Sequence, residues 1–383
     1  MPNKNVLLHL SLIPHIGPGT IINKILRGLF FKKFPDSLQA GLMEFLDAQE
    51  HLDLNVLYTF SVNDFVRICG LTERTALDLT TGLSNQLLLS NEQNLITQHK
   101  VTLLTIFDQA YPEILKQINI PPIILYCKGA PLVPHAKRLS IVGSRKADTY
   151  AGQVITSIIP TLVTNDWHIV SGGAEGVDTM AHKATIESGG HTIVVMGSGF
   201  LHPYPPSNIN FFKEIEQCGS TIVSSFSLNT PPDRSTFPAR NRIIAGLSQG
   251  CVVVRAAARS GGLITAQFAL DQGRLVFAVP GSIYDDLSTG CHELIKQGAK
   301  LINTAHDILE DFNENPTLAT YKPATVTISE PEDPLWQHLV TATTVDELCD
   351  KSGLSLDDLF DSLFALQLKG KVRQNFTGQW ERV

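Results

Sequence analysis

No stretch of this sequence stays apolar for the ~20 residues that a bilayer-crossing helix needs. Its opening, Met1-Pro2-Asn3-Lys4-Asn5, runs into amphipathic sequence where a secretory leader would place an unbroken apolar core. A soluble, cytoplasmic protein without membrane contact is expected. Cysteine is sparse and scattered: Cys69, Cys127, Cys218, Cys251, Cys291 and Cys349 form no C-x-x-C, and no histidine stands at zinc-ligand spacing from them. That pattern excludes a structural zinc ribbon and a disulfide framework, and neither a metal nor a cofactor is expected. Missing too are the P-loop G-x-x-x-x-G-K-[ST] and, after the first central strand, the dinucleotide fingerprint G-x-G-x-x-G, and no nucleophile elbow G-x-S-x-G surrounds Ser171. An ordinary ATPase or NAD enzyme is thereby set aside. Charged residues make up only 17% of the chain and the net charge is −7, which argues against a protein that coats polyanions over its whole surface.

The charge is unevenly distributed. It is −1 over residues 1–136, +2 over 137–300 and −8 over 301–383, so a polyanion would dock on the middle segment and be repelled by the last. With 43% hydrophobic residues in 383, the chain can bury a large core divided among several domains. Residues 1–90 read as a helical domain. His9 to Thr20 followed by Ile21 to Leu26 suggests helix, glycine-containing hairpin, helix, with an echo at Phe65 to Thr72. Such hairpins hold phosphates in helix-hairpin-helix domains, but tight helical turns give the same string. With few cations nearby, this domain is read as a packing or partner module. Strands at 101–106 and 123–129, the latter preceded by Pro121-Pro122, are expected at a sheet border, where proline is tolerated.

Within the central domain, 91–312, the chain alternates strands and helices with short joins from Leu139 to about Phe312, the pattern of a doubly wound, mainly parallel α/β sheet. Strands are expected at 140–142, 169–170, 192–196, 221–224, 251–254, 275–279 and 300–302. Helices are expected at 150–163, 177–187, 208–217, 242–247, 263–271 and 292–297. Ligands of such sheets lie beyond the carboxyl ends of the strands. Those ends read Gly143-Ser144-Arg145, Ser171-Gly172-Gly173, Gly197-Ser198-Gly199, Ser260-Gly261-Gly262 and Pro280-Gly281. Any one break is explained by a turn that needs positive φ; five on one edge point to a phosphate cradle built of amides and helix N-termini. Arg145, Lys146, Arg240, Arg242 and Arg259 supply cations to it. An arginine at a helix start opposes the helix dipole unless an anion compensates, so Arg240 and Arg242 call for a phosphate or a carboxylate such as Asp233. Phe237 and Tyr204 are candidates for base stacking, or for ordinary packing. Ser171, Asp178 and His182 read as structural, with Asp178 and His182 one helical turn apart.

Taken together, Ile141-Val142-Gly143-Ser144-Arg145, Ser171 to His182, Phe237-Pro238-Ala239-Arg240-Asn241-Arg242, Arg259-Ser260-Gly261-Gly262-Leu263-Ile264-Thr265 and Val279-Pro280-Gly281 resemble, in order, the DNA-processing protein A (DprA/Smf) family. The resemblance implies an extended Rossmann-like domain that binds single-stranded DNA without catalysis, as a homodimer, and loads the RecA recombinase onto incoming strands during natural transformation. The binding set it implies is Gly143, Ser144, Arg145, Lys146, Ser171, Gly172, Gly173, Arg240, Asn241, Arg242, Arg255, Ser260, Gly261, Gly262 and Thr265. The family usually has a cation where Glu175 stands and Glu where Arg255 stands, so an exchanged Glu175–Arg255 pair is expected. The alternative is a Rossmann-like enzyme acting on a nucleotide or nucleotide sugar; the Pro-Gly-Gly-x-Gly-Thr of such enzymes is absent. Residues 313–334, rich in Pro, Thr and acids, read as a linker. Three helices (335–340, 345–351, 356–368) and a hairpin (371–383) then suggest a winged-helix-like domain. Its third helix carries Asp357, Asp358 and Asp361, which suits a protein contact better than a phosphate backbone.

Overall fold

Side-chain alternation along the central strands makes two buried faces. Leu139 and Ile141 of β3 (Lys137–Val142), Ile169 of β4 (Trp167–Ser171), Val252 of β7 (Gly250–Val253) and Phe277 of β8 (Leu275–Ala278) pack on one side with the helix Thr149–Thr164. Val142, Val170, Val253 and Ala278, one residue on, face the opposite side. A strand covered on both faces reads as a largely apolar run, and these do apart from buried Arg138, Ser140 and Ser171 and the partly buried Lys137 and His168. Adding β1 (Thr102–Thr105), β2 (Ile124–Gly129), β5 (Thr192–Val195), β6 (Thr221–Ser224) and β9 (Lys300–Leu301) gives a nine-stranded sheet of order β1-β2-β6-β5-β4-β3-β7-β8-β9. It is parallel from β6 through β9; the pairings β1–β2 and β2–β6 are antiparallel, so β2 alone runs against the rest, at the border where the Pro121-Pro122 pair stands. The fold is the Rossmann-like doubly wound sheet expected from the sequence.

The structure, a computed structural model, describes residues 2–33, 52–313, 335, 338–339, 343–368, 371–374 and 379–382. It divides into two compact units, 1–319 and 320–383. Within the first, the N-terminal residues are helical as expected: Pro2–Leu12, a run from Pro18 to Lys33 with π geometry over Ile21–Leu26, then Val62–Cys69, Glu73–Ser84 and Gln86–Gln98. Ser61 and Asp64 form a capping box, and Gly70 at φ 61° closes the same helix. Val6, Leu10 and Ile25 belong to the hydrophobic cluster that also holds Tyr126 and Val223 of the sheet. Glu92 Oε1 accepts the Leu228 amide at 2.8 Å, so the helices are tied to the sheet by a polar contact as well.

The helices expected to start at 263 and 292 begin at Gly261 and Thr289, and a third differs more. The helix placed at 242–247 begins six residues earlier and spans Thr236–Gly246. Pro238 falls in its first turn, where a missing N–H costs nothing, and the earlier start carries Arg240 onto a buried face. In the second unit, the helices Val345–Ser352 and Leu356–Leu368 pack with β10 (Val372–Gln374) and β11 (Trp380–Arg382) around Leu348, Leu359, Leu363 and Trp380. Thr343 bridges Trp380. The linker expected at 313–334 lies outside the described residues except Asn313, and the helix expected at 335–340 is described only at 335, 338 and 339. Among the described residues no helix is long and apolar enough to cross a membrane.

Candidate functional site

The winding of the sheet reverses at β3, from which β4, β5 and β6 proceed to one side and β7, β8 and β9 to the other. A crevice must open beyond the carboxyl ends of the strands at such a reversal, and here it is a cleft of 780 Å³. Its inner wall depends on glycine. A Cβ on Gly143 would lie 2.7 Å from Val177 Cγ2, and one on Gly262 would lie 3.2 Å from the Gly143 Cα, so the Gly143 loop and the start of the helix Gly261–Asp271 are in close contact. Ser260 caps that helix, its side chain accepting from the Gly262 amide at 3.3 Å.

Of the sequence-predicted residues, Gly143, Ser144, Arg145, Lys146, Arg240, Asn241, Ser260, Gly261, Gly262 and Thr265 line the cleft. Gly172 lines a smaller adjoining cavity of 160 Å³. The others lie elsewhere. Ser171 is buried and donates to the Ile141 carbonyl at 2.6 Å. Gly173, at φ 66°, packs against Phe212 and Val194. Arg242 turns from the cleft and donates to the carbonyls of Asn119 and Ile120. Arg255 is buried between Asp148 and Asp285. The expected exchange with Glu175 is therefore not formed: Arg255 takes two aspartates as partners, and Glu175 Oε1 accepts the Ser207 hydroxyl at 2.6 Å.

The amides of the first loop are also partly committed. Ser144 N–H donates to the Arg255 carbonyl at 2.7 Å, and Lys146 N–H to Ser144 Oγ at 3.0 Å. Positive charge in the cleft comes from side chains. Arg145, Lys146, Arg234 and Arg259 are exposed, border the cleft and make no ion pair among the described residues. Arg234 was missed by sequence reasoning because it stands alone in an irregular loop, where only its position three residues before Phe237 marks it; Arg259 was visible beside the third glycine break. Aromatic surface accompanies the charge: the Tyr204 and Phe237 rings are 5.5 Å apart and the Arg145 guanidinium lies 5.8 Å from the Phe237 centroid.

Behind the rim, Arg240 acts as a brace. It is 5% exposed and donates to the carbonyls of Gly172 and Val195 and to Asn241 Oδ1. Burial lowers its pKa to about 10, against the opposite pull of Asp178. Asp178 accepts from the amides of Gly172 and Ala174 at 3.1 and 3.3 Å, and burial raises its pKa, with Arg240 opposing. His182, one turn along, shares a 2.6 Å hydrogen bond with Thr192 Oγ1, and burial pushes it down to about 3. Ser171, Asp178 and His182 are thus each engaged in holding the fold.

Comparison with known proteins places these residues in context. The model of the DNA recombination-mediator protein A family matches residues 102–313. The DNA processing protein DprA of Bacillus subtilis is 41% identical over 215 residues, 56% of this chain and 72% of the relative. The crystal structure of DNA processing protein A from Streptococcus pneumoniae superposes with a TM-score of 0.65 at 32% identity, covering 81% of this chain and 99% of that one. A structure of DNA processing protein A from Helicobacter pylori, described for its single-stranded DNA binding mode, superposes at 0.51 and 27% identity over 56% of this chain and 96% of its own.

Proposed function

The chain belongs to the DNA recombination-mediator protein A family, and on that premise we propose that its cleft binds single-stranded DNA without chemical turnover. The observation that carries this reading is the pairing of four exposed cations, Arg145, Lys146, Arg234 and Arg259, with the Tyr204–Phe237 aromatic surface in one cleft. Cations track phosphates, and unstacked bases find a π-face, the combination that single-strand binders use. The engagement of Ser171, Asp178 and His182 in structural hydrogen bonds supports binding over hydrolysis.

The finer part of the proposal is that the protein, as a cytoplasmic homodimer, hands the strand to a RecA recombinase during natural transformation. Residues 1–90 serve as a helical partner module, 91–312 as the binding domain, and 335–383, after a linker, as a winged-helix-like module for protein contact. Exposed Asp358 and Asp361 on its longer helix favour a protein over a phosphate backbone. Fluorescence-anisotropy titration of a labelled mixed-sequence strand and of its duplex tests the central claim. The single strand binds more tightly, and Arg145→Ala weakens it about tenfold with little dependence on sequence. Equal binding of duplex, or an Arg145→Ala protein that binds as the wild type does, overturns it.

A further inference from the structure

Beside the cation-lined cleft is a cavity whose chemistry is of another kind. It holds 160 Å³, room for one nucleobase and not for a strand, and it shares Arg145, Tyr204 and Phe237 with the cleft, so the two spaces adjoin. Its inner boundary is thinned by glycine: a Cβ on Gly197 would lie 2.8 Å from Phe237 Cδ1, so the absent side chain is what admits that ring. On the rim stands Glu175, a carboxylate beside a polyanion site, which phosphates would repel. It makes no ion pair among the described residues; the Ser207 hydroxyl donates to Oε1 and orients the group. Its place just before the helix Val177–Glu187 suits a negative charge, but that accounts only for its being tolerated.

A carboxylate accepts hydrogen bonds and donates none. Facing a base edge, it distinguishes the four bases. Guanine offers N1–H and N2–H side by side, matching two oxygens. Adenine and cytosine each offer one amino group next to an accepting ring nitrogen, and thymine sets N3–H between two carbonyls that repel the carboxylate. Oε1 retains a lone pair after accepting Ser207, so both oxygens stay available. We propose that the cavity is a base-reading subsite in which Tyr204 and Phe237 stack a base lowered from the strand and Glu175 selects guanine. This rests on the single-strand reading above and adds sequence preference to it.

The test compares three otherwise identical thymine oligonucleotides whose central position is guanine, hypoxanthine or thymine, titrated by anisotropy against the full chain. The wild type prefers guanine to thymine by about tenfold, the scale of one bidentate base contact. Hypoxanthine, lacking the 2-amino group, falls between them. Glu175→Gln keeps an acceptor for Ser207 but loses the second acceptor, and brings the ratio near one. Glu175→Lys abolishes the preference while tightening binding to all three. A wild-type ratio of one, or a ratio that survives Glu175→Gln, overturns the subsite and leaves strand binding intact. Displacement of the strand by dGMP at equal guanine concentration overturns it as well, making the cavity a mononucleotide site. Failure of all three oligonucleotides to bind overturns the single-strand reading itself.

Discussion

The Arg255 guanidinium is 3% exposed and sits between the carboxylates of Asp148 and Asp285, with Ser288 Oγ 2.7 Å from Nη1 and the Tyr150 ring 5.2 Å away. A buried charge persists only with partners that satisfy it, and each partner here has a second task. Asp148 Oδ1 accepts the Ala151 amide at 2.9 Å, capping the helix Thr149–Thr164, and Asp285 Oδ1 accepts the Leu287 amide at 2.9 Å. The triad therefore clamps the loop after β3 to the loop after β8. Burial pushes the Asp148 carboxyl up, but the Ala151 amide and Arg255 outweigh it and hold it below its ordinary value; Asp285 is held low by its hydrogen bond from Arg255 first. Carboxylates with lowered folded pKa stabilise the fold above their unfolded value near 4 and lose that contribution as pH falls through the folded one. Arg255→Met should lower the urea midpoint at pH 7, with the gap to wild type closing as pH drops from 5 to 3. A gap independent of pH would detach Arg255 from this clamp. From sequence alone Arg255 was read as a ligand cation, because neither Asp148 nor Asp285 is near it in the chain and only the sheet brings all three together.

At the scale of elements, the turn between β4 and the helix Val177–Glu187 carries the strictest backbone demand of the cleft. Gly176 has φ 80° and ψ −129°, and a Cβ there would run into the carbonyl oxygens of Ser144 and Arg145. Neither obstacle can yield, since both are backbone, and the conformation itself disfavours any residue but glycine. Gly176→Ala should cost on the order of 2 kcal/mol in unfolding free energy and weaken strand binding, because relief of the clash displaces Arg145; circular dichroism under urea and anisotropy read the two effects. Binding unchanged in a destabilised protein would show that the loop relaxes away from the cleft. The five small-residue breaks were legible because glycine after a β-branched run has few other uses, and the helix Val177–Glu187 was legible to its ends. The start of the helix Thr236–Gly246 was not. Pro238 and the polar run after it mask a first turn that only tertiary packing settles, and with it was hidden that Arg240 braces the site from behind while Arg242 leaves it. The π turn over Ile21–Leu26 left no mark in the sequence either, since its apolar residues fit an ordinary helix equally well.

At the scale of the whole molecule, a protein of net charge −7 sets around one cleft four exposed cations that make no ion pair among the described residues. The uneven charge of the three segments was readable in the sequence, but which cations lack partners was not, because ion pairing depends on the fold: Lys300 is held by Asp311 and Arg255 by Asp148 and Asp285. What remains on the cleft rim is Arg145, Lys146, Arg234 and Arg259, and this number sets the salt dependence. Each single-strand phosphate neutralised releases counterion with a slope of about −0.7 in log K against log salt, so four contacts predict a slope near −3. Because the remainder of the surface is acidic, non-specific contacts should add little to it. Arg259→Ala should bring the slope to about −2 and lower affinity most at low salt, whereas Arg242→Ala, whose guanidinium is spent on the carbonyls of Asn119 and Ile120, should leave the slope unchanged even if it lowers stability. Anisotropy titrations across a salt series distinguish the two, and a slope that responds equally to both variants would mean that the strand follows a path other than this cleft.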